Sequence, residues 1–180
     1  RGSKWNLYEG GIRVPLIVRW PGVTAAGTTC DTVVHGCDLF PTFCEVAGHT
    51  PPPAPRDGVS LVPLLKDSAN AFPRPRPLIW HFPYYPPETK FFRAPADIGV
   101  GDFATSQTRP HSAIRSGDWK LLKFYEDSRV ELYNLKHDIA EQRNLAEDHP
   151  EITQRLSGEL ADALADAHAR MPLPADHRQE

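Results

Sequence analysis

Three cysteines, one methionine and no long apolar run set the first limits on this chain. Cys30, Cys37 and Cys44 cannot all pair with one another, and their spacing lacks the close pairs of a zinc site. Cys37 and Cys44 fall near one face of a helix, and all three are expected as buried free thiols. No apolar stretch approaches the roughly 20 residues that a bilayer-spanning helix needs. An excess of basic charge is also lacking: 20 Lys and Arg stand against 23 Asp and Glu, a net charge of −3, so no global field draws nucleic acid. There is neither an initiator methionine nor a leader-like segment, Met171 being the only methionine. The chain is therefore expected to be a fragment or a processed piece, which leaves its compartment open.

What is present suits a folded protein. A length of 180 residues with 40% hydrophobic content allows a sizeable core. Nineteen prolines predict long fixed loops rather than long helices. Leu16-Ile17-Val18-Arg19-Trp20 reads as a strand ended by Pro21-Gly22. Asp38 to Ala47 reads as a helix, capped by Asp38 and stopped by Gly48. Leu61 to Leu65 predicts one helical turn. Leu78 to Phe82 predicts a strand, and the stretch from Tyr84 to Thr108 has no clear period.

The last third is more regular. Ser112 to Arg115 and Trp119 to Phe124 predict two strands joined through Ser116-Gly117-Asp118. Val130 to Leu135 alternates as one half-buried strand. Ile152, Leu156, Leu160 and Leu164 form the stripe of a helix, which starts on an Asp148 cap or with Pro150 in its first position. The tail after Met171 is expected to fray.

The run Lys4-Trp5-Asn6-Leu7-Tyr8-Glu9-Gly10-Gly11-Ile12-Arg13 carries the chemistry. A glycine pair permits positive φ and close backbone approach. A lysine on such a loop offers a compact cation with three donors, suited to an oxyanion. Taken alone, these residues read first as a surface lysine before a common Gly-Gly turn, with a Glu9–Arg13 ion pair. Trp80-His81-Phe82-Pro83-Tyr84-Tyr85 could stack on and hydrogen-bond a sugar or an aryl ring, or could serve as core. Arg93, Arg109 and His111 could meet an anion, or could simply face solvent. His35, Cys37 and Asp38 are close in sequence, but nothing orients them as a triad, and a structural role is expected for them.

Five motifs, taken in order, resemble the formylglycine-dependent (type I) sulfatases, the arylsulfatase family. KWNLYEGGIRVPLIVRWPG from Lys4 to Gly22 resembles the lysine loop and the strand after it. Asp38-Leu39-Phe40-Pro41-Thr42 with Ala47-Gly48 is similar to the next helix. Asp57-Gly58-Val59-Ser60-Leu61 with Pro63-Leu64-Leu65 is similar to the following loop. Ala113 to Leu121 resembles the first hairpin of the C-terminal sheet. Glu131 to Leu135, with Asp138, Glu141, Asn144 and Leu145, resembles the strand and turn that close it. The match runs from about residue 2 to residue 165.

The resemblance implies an α/β fold: the C-terminal part of an alkaline-phosphatase-like sulfatase domain, then a small antiparallel sheet packed on a terminal helix. The expected divisions are 1–77, 78–170 and a tail at 171–180. The implied function is hydrolysis of sulfate esters, either aryl sulfates or sulfated carbohydrates. Lys4 is the expected sulfate-contacting residue, with Glu9, Gly10, Gly11 and Arg13 as its scaffold. His81, Tyr84, Arg93, Arg109 and His111 are candidates for substrate contact.

The departures from the family pattern are larger than the matches. No Cys or Ser stands in a C/S-x-P-x-R signature that could become formylglycine. The carboxylate pairs that bind calcium in the family are also missing. Calcium and formylglycine are thus expected upstream of this chain, and the chain alone is expected to be inactive. Export is implied by the family. Two alternatives stay open: a related phosphate or phosphonate ester hydrolase, and a non-catalytic remnant.

Overall fold

The computed structural model of the protein describes residues 1–2, 6–50, 57–69, 72, 74–84 and 109–173. The chain forms two compact units, Arg1–Val14 with Pro77–Glu180, and Pro15–Arg76.

The first unit is built on a four-stranded antiparallel sheet of order β1-β2-β3-β4: Leu78–Phe82, His111–Ser116, Trp119–Phe124 and Val130–Asn134. All four strands were anticipated. The β2–β3 hairpin pairs Ser116 with Trp119 across Gly117-Asp118, and Gly117 supplies the positive φ that this tight reversal needs.

Register fixes what each face carries. Ile114, Leu121 and Leu132 pair across the strands and share one face. They pack on Leu156, Leu160 and Leu164 of the terminal helix Pro150–Asp166. Burying each of those leucines contributes about 1.5–3 kcal/mol. His111, Ala113, Arg115, Lys120, Leu122, Phe124, Glu131 and Tyr133 take the other face by the period of two. Leu7 and Tyr8 close over its apolar part.

The terminal helix starts with Pro150 in its first turn. Asp148 does not cap it, because its carboxylate is taken by Arg143 at 2.8 Å. The helix ends in a reversal in which His168 N–H donates to Ala165 O and Ala169 N–H to Leu164 O, with His168 at φ 47°. After β4, Asn144 Oδ1 accepts from Leu132 N at 2.9 Å and Leu145 N donates to Leu132 O at 2.8 Å, so the turn covers the free edge of that strand.

The second unit holds a 3₁₀ turn Gly36–Asp38, helix α2 at Leu39–Val46 and the short α3 at Val62–Lys66. The short α1 of the first unit spans Glu9–Ile12, so the terminal helix is α4. Gly48 ends α2 at φ 71°, as anticipated.

Three expectations are corrected here. Asp38 does not cap α2. It completes the 3₁₀ turn with helical φ/ψ, and its carboxylate accepts from His35 N at 2.7 Å and Val59 N at 2.9 Å and pairs with Arg74. Burial alone would raise the Asp38 pKa, but the Arg74 guanidinium and these two amides hold it below the usual range. Residues 16–20 form no strand: a ladder needs a partner, and none pairs with this segment among the described residues. Ile17 is 91% exposed. The cysteines are free but not buried: Cys30 is exposed, and Cys37 and Cys44 are half-buried.

Candidate functional site: an ion cluster behind the lysine-bearing segment

Lys4 and Arg93 lie outside the described residues, whereas both flanks of Lys4 are described. Residues 9–12 form α1, so neither glycine of the pair adopts the positive φ that was anticipated. Gly10 meets the other expectation, close backbone approach. A Cβ there would lie 2.4 Å from Gly2 O and 2.6 Å from Arg1 O, both backbone atoms. Its N–H donates to Arg1 O at 2.8 Å.

Glu9 is the first residue of α1 and is buried. Its Oε1 receives Lys120 Nζ of β3 at 2.9 Å. Its Oε2 lies 3.5 Å from Arg13 and 3.8 Å from Arg115 of β2. The anticipated Glu9–Arg13 pair is therefore present, but Lys120 is the closer partner. Lys120 is fully buried and also meets Glu141 Oε1 at 2.8 Å. Glu141 Oε2 accepts from the Glu9 N–H at 2.7 Å. Burial pushes the Glu141 carboxyl up, against Lys120 and the Glu9 amide, which favour its charged form.

A second set of bonds fixes the residues beside Glu9. Glu131 Oε2 accepts from Tyr8 OH at 2.6 Å and from Tyr133 OH at 2.8 Å, while Arg129 pairs with its other oxygen. Burial and the Glu131 charge raise both phenols, which stay neutral donors. Arg1 Nη1 donates to Tyr133 OH at 3.2 Å and to Glu141 O at 3.3 Å.

The anticipated contact residues separate. His111 is fully buried, stacked on Phe124 with ring centres 5.2 Å apart. Its Nε2 accepts from Leu7 N at 3.0 Å, so its Nδ1 carries the proton and donates to Arg109 O at 2.8 Å. Neither the anion-contact role nor the solvent-facing one describes it. It is a core histidine, and burial lowers its pKa to about 4.

His81 lies on the opposite face of the sheet, paired with Ser112. Its Nε2 faces the Arg170 carbonyl at 2.9 Å and its Nδ1 faces Ser112 Oγ at 2.6 Å. Ser112 Oγ also bonds Tyr125 OH at 2.7 Å. Arg109 pairs with Glu126 at 2.9 Å and with Asp127 at 3.2 Å on the surface. Tyr84 is 55% exposed, edge-on to Phe82. His35, Cys37 and Asp38 act structurally: the His35 ring accepts from Cys37 N at 3.2 Å, and Asp38 belongs to Arg74.

Lys120 and Glu131 were not singled out as functional, and Glu141 entered only as a motif position. The available signal was a charged residue at an inward position of a strand. Lys120 lies opposite Tyr133 in register, on the same face as Leu122 and Phe124.

The family described as N-sulphoglucosamine sulphohydrolase, C-terminal, matches residues 3–97. A sulfatase of Formosa agariphila is 35% identical over 160 residues, covering 83% of this chain and 26% of that protein. An N-acetylglucosamine-6-O-sulfatase of Bacteroides thetaiotaomicron is 31% identical over 144 residues, covering 79% of this chain and 23% of its own length. A solved complex of a protein with its substrate D-glucosamine-2-N,6-O-disulfate superposes with a TM-score of 0.65 at 26% identity, covering 96% of this chain and 31% of that one. The chain thus spans about a quarter of the length of these curated relatives. An antiparallel sheet backed by one helix, a Glu-Gly-Gly segment docked on it and a match over 53% of the residues carry one conclusion: the chain belongs to the sulfatase family and corresponds to its C-terminal part.

Proposed function

We propose that the protein to which this chain belongs hydrolyses sulfate esters of carbohydrates, and that Lys4 contacts the sulfate group. The match of residues 3–97 to the C-terminal family, with Lys4 inside it, carries this reading. Two relatives, one named for a 6-O-sulfated amino sugar and one solved with a disulfated glucosamine, support the carbohydrate class. An ammonium beside the sulfate would offset charge that moves onto the leaving oxygen as the S–O bond breaks.

The described residues do not fit a metal centre. Calcium needs several converging oxygens. Among the described residues no three His, Cys, Asp or Glu side chains converge on one point. Glu9, Glu131, Glu141 and Asp38 are each engaged by a cation. We therefore assign calcium and formylglycine to the part of the enzyme outside this chain. Among the described residues no helix is long and apolar enough to cross a membrane. Export is the compartment that fits a carbohydrate sulfatase.

The test is steady-state kinetics of the enzyme that carries this chain, on glucosamine 6-sulfate and 4-nitrophenyl sulfate. Lys4→Ala is expected to lower kcat/KM about 10²–10³-fold, the range for loss of one positioned transition-state group. A Lys4→Ala enzyme as fast as wild type overturns the assignment. Faster turnover of 4-nitrophenyl phosphate than of any sulfate ester would favour the phosphate-ester alternative.

A further inference from the structure

The buried cluster of Lys120, Glu9 and Glu141 is an expensive way to hold a turn. Taking two charges out of water costs several kcal/mol per ion, and a well-packed apolar group of similar volume often gives equal or greater stability. What an ion cluster adds is direction: each charge accepts only one arrangement of its partners. Glu141 also carries a backbone cost. It is fully buried at φ 55°, in the left-handed region that a Cβ disfavours and that glycine adopts freely. A glutamate there is explained by its side chain, which joins Lys120 to the Glu9 amide.

The bonds made by the sheet fall on both flanks of Lys4. Before it, Arg1 is held by Tyr133 OH and the Glu141 carbonyl. After it, Leu7 N–H is held by His111 Nε2, and Glu9 by Lys120 and Glu141. The bond from Gly10 N to Arg1 O then joins the two flanks. Three strands and the turn after β4 thus hold Arg1 on one side of Lys4 in sequence, and Leu7 and Glu9 on the other.

We infer that Lys120 and Glu141 are positioning residues for Lys4, and that the C-terminal sheet serves the sulfatase reaction by holding the residues that flank the sulfate-contacting cation in sequence. This inference rests on the proposed role of Lys4. It gives the Glu-Gly-Gly segment, the β2–β3 hairpin and the turn holding Glu141 one shared task. Neither positioning residue touches substrate. Their effect on rate passes through Lys4 alone.

The enzyme that carries this chain tests the inference, with 4-nitrophenyl sulfate as the probe and rates normalised to the folded fraction. Lys120→Met and Glu141→Gln are each expected to lower kcat at least 10-fold, with KM changed less than 3-fold. In a Lys4→Ala background the same substitutions are expected to change kcat/KM less than 2-fold, because the group they position is gone. A role in stability alone would leave the normalised rates of the single variants at the wild-type value, and an effect on turnover that bypasses Lys4 would give multiplicative losses. Where Lys120→Met does not fold, Glu141→Gly replaces it: glycine relaxes the φ of 55° and removes only the side chain. Full-sized losses that persist beside Lys4→Ala, or wild-type rates in the positioning variants, overturn the inference. If Lys4→Ala is itself fully active, the role of Lys4 falls first and the positioning role with it. If Lys4→Ala is impaired and the positioning variants are not, only the positioning role falls.

Discussion

His111 shows how one residue can hold two elements together and set a pH limit. Its ring is sandwiched into the core with its Nε2 accepting from Leu7 and its Nδ1–H donating to Arg109 O. Protonation would put a second N–H against the Leu7 N–H. Burial comes first among the causes that lower its pKa to about 4, and Lys120 and Arg129 add repulsion. The unfolded chain takes up the proton near pH 6.5, well before the folded one does. The stability linked to His111 is therefore complete above pH 6.5 and is lost as pH falls toward 4, by about 3 kcal/mol. Glu141 works in the opposite sense, because its raised pKa lets the folded state accept a proton first. Comparing wild type with His111→Gln removes that contribution, which both share. Urea midpoints of the pair are expected to converge by about 3 kcal/mol between pH 7.5 and pH 4. A gap that stays constant with pH would mean that folding leaves the His111 pKa where it is in the unfolded chain, and would overturn the pH limit assigned to it.

At the scale of elements, sequence patterns located the four strands and the terminal helix because their signals are local. Gly117 marked the hairpin, and the leucine stripe marked α4. The failures have physical reasons. Residues 16–20 have β-forming side chains, but a strand exists only with a neighbour, and the described residues pair none with it. Asp38 looked like a cap, yet a 3₁₀ turn ahead of α2 carried it into a helical conformation, where its carboxylate points back to His35. Charge partners were the least legible. Glu9 lies more than a hundred residues before Lys120 and Glu141 along the chain, and only the fold brings the three together. The end of α4 gives a prediction of its own. His168 occupies the left-handed position of a Schellman reversal that usually belongs to glycine. His168→Gly keeps both closing hydrogen bonds and removes the Cβ strain. It is expected to raise stability by about 0.5–1 kcal/mol, read from the urea midpoint. A loss of stability would show that the histidine side chain matters more than the backbone it strains.

At the scale of the whole molecule, the chain supplies a holder and one proposed catalytic cation, while the reaction needs a nucleophile and the neutralisation of several sulfate oxygens. No Cys or Ser in its 180 residues stands in the C/S-x-P-x-R signature. The buried carboxylates that might attract a cation already serve Lys120, Arg129 and Arg74. Freeing Asp38 for calcium would leave the largely buried Arg74 guanidinium without its carboxylate, at a cost of roughly 3–5 kcal/mol, and freeing Glu141 would leave Lys120 with Glu9 alone. The 180-residue polypeptide is therefore expected to release 4-nitrophenol from 4-nitrophenyl sulfate no faster than buffer does, with or without 1 mM calcium. The same calcium is expected to leave its thermal midpoint within about 1 °C. A site filled at 100 times its Kd would stabilise the fold by about 2.7 kcal/mol, several degrees for a protein of this size. The two readings are independent. A calcium-dependent rise in Tm without turnover would reveal a metal site in the residues beyond those described. Turnover without calcium would mean that some other group performs the nucleophilic step, and it would refute the assignment of that step to the part of the enzyme outside this chain.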